Sequence, residues 1–207
     1  MTPGVVASSY QTRVGPAPYF SQKQPLPNWE VNCVPTSVAM ILTKLAPHVA
    51  QKFGHNPLLR MFDSNQLVHN LSSWMVAQQG GKPGLTDFNV LAEMLNQLGL
   101  PAEGFDGVPM PLLKKGLGLG RQAIVMGDAL ALPSTPLEGR TKARQDDLLH
   151  AIVVTAYDAK TQTFLVNDPQ DPANAPRVMS EAQLNAFANS VENNIHGAAN
   201  GVMVVVG

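Results

Sequence analysis

Three side chains in this sequence could together catalyse acyl transfer, and the first is the only cysteine of the chain, Cys33. It precedes an apolar segment in which Val34, Val38 and Ile41 recur at three- and four-residue steps, the spacing of a buried helix face. Pro35 fits the first helical turn, where its missing N–H is not needed. Cys33 is therefore predicted at a helix N-terminus, which favours a thiolate. A buried structural cysteine is the alternative interpretation.

The other two side chains lie at the ends of two predicted strands. His150 opens the apolar strand 151–156, and Asp168 follows the strand 163–166. A turn at 158–161 predicts that these strands form a hairpin, which would bring Asp168 beside His150. An imidazole can act as a general base near neutral pH, and a carboxylate beside it would hold its tautomer and stabilise its charged form. The pattern predicts a nucleophile, a base and an orienting carboxylate.

Amide side chains upstream of the cysteine could complete such a site. Gln22, Gln24 and Asn28 carry amide NH₂ groups that can donate hydrogen bonds to a developing oxyanion. The alternative for each of them is a solvated loop residue.

The elements that must position these residues change character along the chain. Helical spacing extends from Cys33 through Leu45 and recurs over 46–81, 86–99 and 110–115, whereas strands are predicted at 122–126, 151–156, 163–166 and 202–206. Helices followed by an antiparallel sheet predict an α+β fold.

The domain organisation follows from turn-forming residues and length. Residues 1–18 are rich in proline and glycine without periodicity and are predicted to form an irregular arm, and 19–207 are predicted to form a single domain. The aperiodic insertion 128–149 ends immediately before His150, so it is interpreted either as a substrate lid or as a plain surface loop.

Composition excludes several classes of protein. A net charge of −1 with 14 basic residues and no basic run disfavours nucleic acid as a partner. One cysteine excludes an intrachain disulfide. No apolar run is long enough for a membrane span, and the first fifteen residues lack the features of a secretory signal. We therefore expect a soluble protein that is cytoplasmic, exported by a route without such a signal, or associated with a virion. The sequence does not predict an oligomeric state.

No metal or other cofactor is expected. His48, His55 and His69 with Asp63 lack ligand spacing for zinc, and Asp171 near Asp168 is not part of a calcium-binding loop.

The order of motifs resembles a known family, the papain-like cysteine peptidases of the double-glycine type, which trim bacteriocin precursors in exporters and have many free-standing relatives. The matching segments are Tyr19–Gln22, Cys33–Leu42, His150–Tyr157 and Val166–Pro169. The resemblance implies a papain-like fold, with the nucleophile at a helix N-terminus packed on a C-terminal antiparallel sheet, and a bacterial or phage source.

The resemblance also implies roles for four residues. Cys33 corresponds to the nucleophile, His150 to the base, Asp168 to the orienting residue and Gln22 to the oxyanion amide. Two departures from the family pattern concern this site. Val34 stands where the family usually has a glycine or an asparagine, and the oxyanion glutamine is commonly closer to the cysteine than Gln22 is.

The function expected from these residues is hydrolysis of a peptide or amide bond through an acyl-enzyme. The substrate would be a protein or peptide precursor, or the stem peptide of peptidoglycan. Deamidation or transamidation of a protein would use the same chemistry. A catalytically inactive papain-like module that binds peptides, and a structural component, are the alternatives of another class.

Overall fold

The computed structural model describes residues 17–22, 32–58, 60–82, 87–132, 149–171, 173, 175–189 and 202–207. The helices in these ranges are α1 (Cys33–Leu45), α2 (Pro47–Gly54), α3 (Ser64–Gln78), α4 (Phe88–Gln97), α5 (Met110–Gly118) and α6 (Glu181–Asn189). The strands are β1 (His55–Asn56), β2 (Met61–Phe62), β3 (Ala102–Asp106), β4 (Gln122–Asp128), β5 (Leu149–Asp158), β6 (Thr163–Asn167), β7 (Arg177–Ser180) and β8 (Val202–Val206).

The main sheet has six strands in the order β3-β8-β4-β5-β6-β7, and every neighbouring pair is antiparallel. The last strand in sequence, β8, lies between β3 and β4. A central strand of this kind forms backbone hydrogen bonds with a neighbour on each side. Its four valines and one methionine fit this position, because β-branched and apolar residues are favoured in buried strands. The edges of the sheet are β3 and β7.

Both faces of the sheet are buried, because alternate side chains of the central strands join two different clusters. In β4, Ile124 and Met126 pack with helices α1, α3 and α4, whereas Val125 packs with α5 and α6 on the other face. In β5, Val153 belongs to the first cluster and Ile152 to the second, on the other face. This explains why these strands read as continuous apolar runs instead of alternating polar and apolar residues.

Helix α1 lies within the first of these clusters and packs on β5 and α3. All residues from Cys33 to Leu42 are buried, so the helix is enclosed over most of its length. Burying apolar surface at roughly 25 cal/mol per Å² is the largest stabilising contribution to such a helix. The N-terminus of α1 is thereby fixed against the central strands.

The α+β prediction is confirmed, with several corrections to individual elements. The helical spacing predicted over 46–81 is wrong as one element, because α2 and α3 are separated by the short hairpin β1–β2. The edge strands β3 and β7 and the helix α6 were not predicted. Edge strands bond to one neighbour only and carry exposed side chains, so their sequences lack a buried-strand pattern.

The start of the described chain contacts the sheet directly. The Asn167 side chain donates hydrogen bonds to the carbonyls of Ala17, at 3.0 Å, and Pro18, at 3.2 Å. Ala17 is itself buried. Residues 1–16 of the predicted arm, and 133–148 of the predicted insertion, lie outside the described residues.

Candidate active site

Cys33 is the first residue of α1, as predicted. Asn32 precedes the helix without a capping side-chain bond, so the first backbone N–H groups of α1 are not shielded by a cap. The Cys33 side chain is close to full burial, with 8% of the residue exposed. Burial raises the pKa of the thiol, but hydrogen bonding to His150, the charge of His150 and backbone hydrogen bonds from Ala151 and Val34 together hold the pKa below its usual value. A thiolate is favoured at this position.

His150 lies near the start of β5, opposite Gly127 of β4. Its Nε2 is 2.7 Å from Oδ1 of Asp168, and both side chains are 1% exposed. Burial lowers the pKa of the imidazole, whereas the hydrogen bonds and charges of Asp168 and Cys33 raise it and prevail, to about 9. The ring is therefore held as an imidazolium that donates its Nε2–H to the carboxylate. The other ring nitrogen, Nδ1, has no hydrogen bond of ordinary geometry among the described residues and is the nitrogen left for the thiol.

Asp168 follows β6 directly, and the β5–β6 register pairs Val153 with Asn167. This register carries Asp168 alongside the beginning of β5, as the hairpin prediction required. The Asp168 Oδ1 also accepts a hydrogen bond from the backbone N–H of Gln170 at 2.9 Å. Burial raises the pKa of this carboxyl, but the bond and charge of His150, the Gln170 N–H and the charge of Arg177 lower it below its usual range. Asp168 is thus held as an anion.

A thiol, an imidazole and a carboxylate are brought together in one chain of contacts. The shifted pKa values favour a proton on the imidazole and make a negative charge on the sulfur more favourable than in an ordinary thiol. Such an ion pair gives a nucleophile without further activation and a proton donor beside it. The catalytic roles predicted for Cys33, His150 and Asp168 stay predictions that rest on this geometry.

Gln22 is fully buried, and its backbone N–H donates to the carbonyl of Pro169 at 2.9 Å. It is therefore attached to the turn that carries Asp168. Its role as the oxyanion amide stays a prediction. The two alternatives, Gln24 and Asn28, lie outside the described residues.

Val34, the residue that departs from the family pattern, is 3% exposed and belongs to the hydrophobic core beneath the sheet.

Three residues that contact the Asp168 turn were given no role in the site by sequence reasoning. Arg177 of β7 pairs with Asp171 and reaches Asp168, and the Tyr19 hydroxyl donates to the backbone carbonyls of Asp168 and Asp171. No local motif marks Arg177, because it belongs to the unpredicted edge strand. One sequence signal could have indicated Arg177: it is the single arginine that follows Asp168 and Asp171, the aspartates at the start and end of a four-residue turn.

The described residues contain no group of three histidine, cysteine or acidic side chains placed to hold a metal ion. His48, His55 and His69 are all exposed, and Asp63 caps the N-terminus of α3. Within the described part of the chain, no helix is long and apolar enough to cross a membrane.

Comparison with known proteins finds solved structures that are similar to this one. No protein-family model matches the sequence. No curated protein matches it either. A crystal structure from Bacillus anthracis assigned as a C39-like peptidase is similar over 91% of this chain and 94% of that chain, with a TM-score of 0.50 and 14% sequence identity.

Two further solved structures are similar at slightly lower scores. The peptidase domain of Streptococcus ComA, a bifunctional ABC transporter of a quorum-sensing pathway, is 14% identical at a TM-score of 0.47, covering 92% of this chain and 97% of that chain. A double-glycine-motif protease from an AMS/PCAT transporter, in complex with the leader peptide, is 12% identical at a TM-score of 0.47, covering 94% of this chain and 96% of that chain. The α+β fold of this chain is similar to that of the C39-like peptidase structure.

Proposed function

We propose that this protein is a thiol hydrolase that cleaves a peptide or amide bond through Cys33, His150 and Asp168. One observation carries the proposal: a cysteine at the N-terminus of a buried helix lies beside a buried histidine, whose Nε2 is 2.7 Å from a buried carboxylate. A structural cysteine in a core has no need of a charged partner of this kind.

The first half of the reaction forms an acyl-enzyme. The Cys33 thiolate attacks the carbonyl carbon, and a carbon–sulfur bond forms as the carbonyl π electrons move to oxygen. In this scheme the Gln22 amide donates a hydrogen bond to that oxyanion, which is stabilising because the site is shielded from water. The tetrahedral intermediate then collapses, the carbon–nitrogen bond breaks, and the His150 imidazolium gives its proton to the departing amine.

The second half regenerates the thiol. His150, now neutral, takes a proton from water while the water oxygen attacks the thioester carbon. Collapse of this second intermediate breaks the carbon–sulfur bond and releases a carboxylic acid. The sulfur leaves as a thiolate beside the imidazolium that took the proton from water, which restores the ion pair. Asp168 stays ionised throughout and keeps the imidazole in the orientation that both transfers need.

Precursor peptides and peptidoglycan stem peptides are the substrates to screen, because both contain amide bonds that a thiolate can attack. Deamidation and transamidation of a glutamine side chain would pass through the same acyl-enzyme and both release ammonia. They are told apart by the other product: a glutamate carboxylate in the first case, a new amide in the second.

The decisive test is the rate at which iodoacetamide alkylates Cys33 from about pH 4 to 9, compared between the wild type and His150→Ala. Alkylation that persists well below the free thiol pKa of about 8.5, and that is lost in the variant, is the expected result. His69→Ala, an exposed histidine on α3, is the matched control and should leave the profile unchanged. A wild-type profile centred on the ordinary thiol pKa and indifferent to His150 would overturn the proposal in favour of a peptide-binding module.

A further inference from the structure

Arg177 lies on the edge strand β7. Among the described residues, its guanidinium is the cation nearest to the Asp168 carboxylate after the His150 ring. Its Nε donates to Oδ2 of Asp171 at 2.8 Å, and its Nη2 also pairs with that oxygen. The same Nη2 is 3.6 Å from Oδ2 of Asp168. The side chains are 12%, 7% and 1% exposed for Arg177, Asp171 and Asp168, so the group is largely removed from water. One guanidinium thus faces two carboxylates.

The two oxygens of Asp168 have different surroundings. Oδ1 accepts hydrogen bonds from the His150 ring and from the backbone N–H of Gln170. Oδ2 is buried without a hydrogen bond of ordinary length among the described residues, and the Arg177 guanidinium is the cation that faces it. A buried carboxylate oxygen with no compensating cation is costly. Arg177 therefore compensates the side of Asp168 that His150 does not.

The turn that carries Asp168 is held on its backbone as well. The Asp171 N–H donates to the Asp168 carbonyl at 2.9 Å, which closes the turn. The Tyr19 hydroxyl donates to the carbonyls of Asp168, at 3.1 Å, and Asp171, at 3.2 Å. With the backbone closed in this way, the remaining freedom of Asp168 is rotation of its side chain. Among the described residues, Arg177 and His150 are the cations that restrain this rotation.

The position of Arg177 is set by the sheet. Strand β7 pairs antiparallel with β6, and Arg177 is opposite Val166, two residues before Asp168. The guanidinium can therefore reach the turn from the neighbouring strand without any long loop.

We propose that Arg177 is a positioning residue, which fixes the rotamer of Asp168 through its forked contact with Asp171 and Asp168, and thereby orients His150 toward Cys33. This inference rests on the proposed function, since it assigns Arg177 to the same site. We expect lysine not to replace it, because an ammonium has a single nitrogen and lacks the fork in which Nε bonds Asp171 while Nη2 also approaches Asp168.

Two variants and one control test the proposal. Arg177→Met removes the charge, and Arg177→Lys keeps the charge and the buried stem but loses the fork. Lys114→Met is the matched control, because it removes a 2.6 Å ion pair with Glu181, a residue directly after β7, without touching the Asp168 turn. Should Arg177→Met fail to fold in circular dichroism and thermal melting, Arg177→Lys alone decides the question.

The first readout is iodoacetamide alkylation across pH. We expect both Arg177 variants to move the acidic midpoint of the profile up by about one pH unit, a roughly tenfold slower reaction near pH 6. The reason is that a His150 no longer oriented toward Cys33 withdraws its positive charge from the thiolate, and an opposite charge within a few ångströms changes a pKa by that order. Among the described residues, the charged and titratable groups in contact with the site besides Arg177 are Cys33, His150, Asp168, Asp171 and Tyr19, and none of them is altered. An Arg177→Lys profile equal to that of the wild type would overturn the positioning role.

The second readout does not depend on catalysis. The N–H proton of the His150–Asp168 hydrogen bond is expected as a downfield imidazole resonance in the wild type and in Lys114→Met, and as a broadened or missing one in both Arg177 variants. An unchanged resonance in the Arg177 variants refutes the inference, whether or not Cys33 is reactive. An unreactive Cys33 in the wild type refutes the proposed function, whatever the resonance shows.

Discussion

Replacing Asp168 by asparagine removes one charge from the site with little change in size. In the wild type the His150 Nε2 and the Asp168 Oδ1 are 2.7 Å apart, and both side chains are 1% exposed. Asparagine can still accept a hydrogen bond from the ring, but it cannot balance an imidazolium. The pKa of His150, which the wild-type site raises to about 9, should fall toward its ordinary value of 6.5.

The effect on the thiol follows from the sign of this change. The Cys33 thiolate is stabilised by the imidazolium, so a histidine that loses its proton at lower pH leaves the thiol protonated up to a higher pH. A hydrogen bond to a charged group contributes roughly 1.5–3 kcal/mol, and about 1.4 kcal/mol corresponds to a factor of ten. We therefore expect Asp168→Asn to slow alkylation of Cys33 by about tenfold or more near pH 7, which lies above the lowered pKa of His150 and below the ordinary thiol pKa of about 8.5.

The assay is the iodoacetamide rate from about pH 4 to 9, with the fold checked by circular dichroism. The rates of wild type and variant should converge near pH 9, where an ordinary thiol is largely ionised. Asp158→Asn is the control, since Asp158 caps a turn at the far end of β5 by accepting from the Lys160 N–H at 2.9 Å. Superimposable profiles for Asp168→Asn and wild type would refute the reasoning, and equal slowing at every pH would indicate lost structure instead of lost ionisation.

The other predictions concern turnover and stability. Gln22→Ala should reduce kcat on a peptide substrate by about 10²- to 10³-fold while leaving alkylation unchanged, because alkylation forms no oxyanion; slowed alkylation would contradict an oxyanion role. Turnover should fall above about pH 9, as His150 loses the proton that the leaving amine needs, and a profile that stays flat through about pH 10 would count against this acid. Gly127→Ala should lower the melting temperature, because its Cβ would lie 2.2 Å from the Phe187 carbonyl oxygen, at a cost of roughly 2 kcal/mol or more. Gly118→Ala, which meets open space, is its control, and equal melting temperatures for the two variants would refute the steric argument.

Much of the site was predictable, because several of its residues lie in short segments whose apolar residues repeat with the period of a helix or a strand. The apolar steps after Cys33 predict α1, and Pro35 locates its first turn. The apolar run after His150 predicts β5, and the four-residue turn that follows predicts its pairing with β6. Because a hairpin joins neighbours in sequence, its register also predicted that Asp168 would meet His150.

The parts that escaped prediction depend on segments with weak patterns. Strand β3 contains glutamate, glycine and aspartate, and β7 contains arginine and an exposed valine. An edge strand forms because its neighbour offers unpaired backbone groups, so its own side chains need not repeat with any period. The role of Arg177 could not be predicted for this reason, since nothing in the sequence places β7 beside β6.

The sequence by itself determined the type of each strongly periodic element, the place of the thiol at a helix N-terminus and the pairing of histidine with carboxylate. These features depend on residues near each other along the chain. Only the tertiary structure decided that the N-terminus of α1 meets the start of β5, that Gln22 is attached to the Asp168 turn, and that Arg177 supplies the second cation. Such contacts join distant segments, and their geometry is set by sheet register and by packing on both faces of the sheet, which no local pattern of residues specifies.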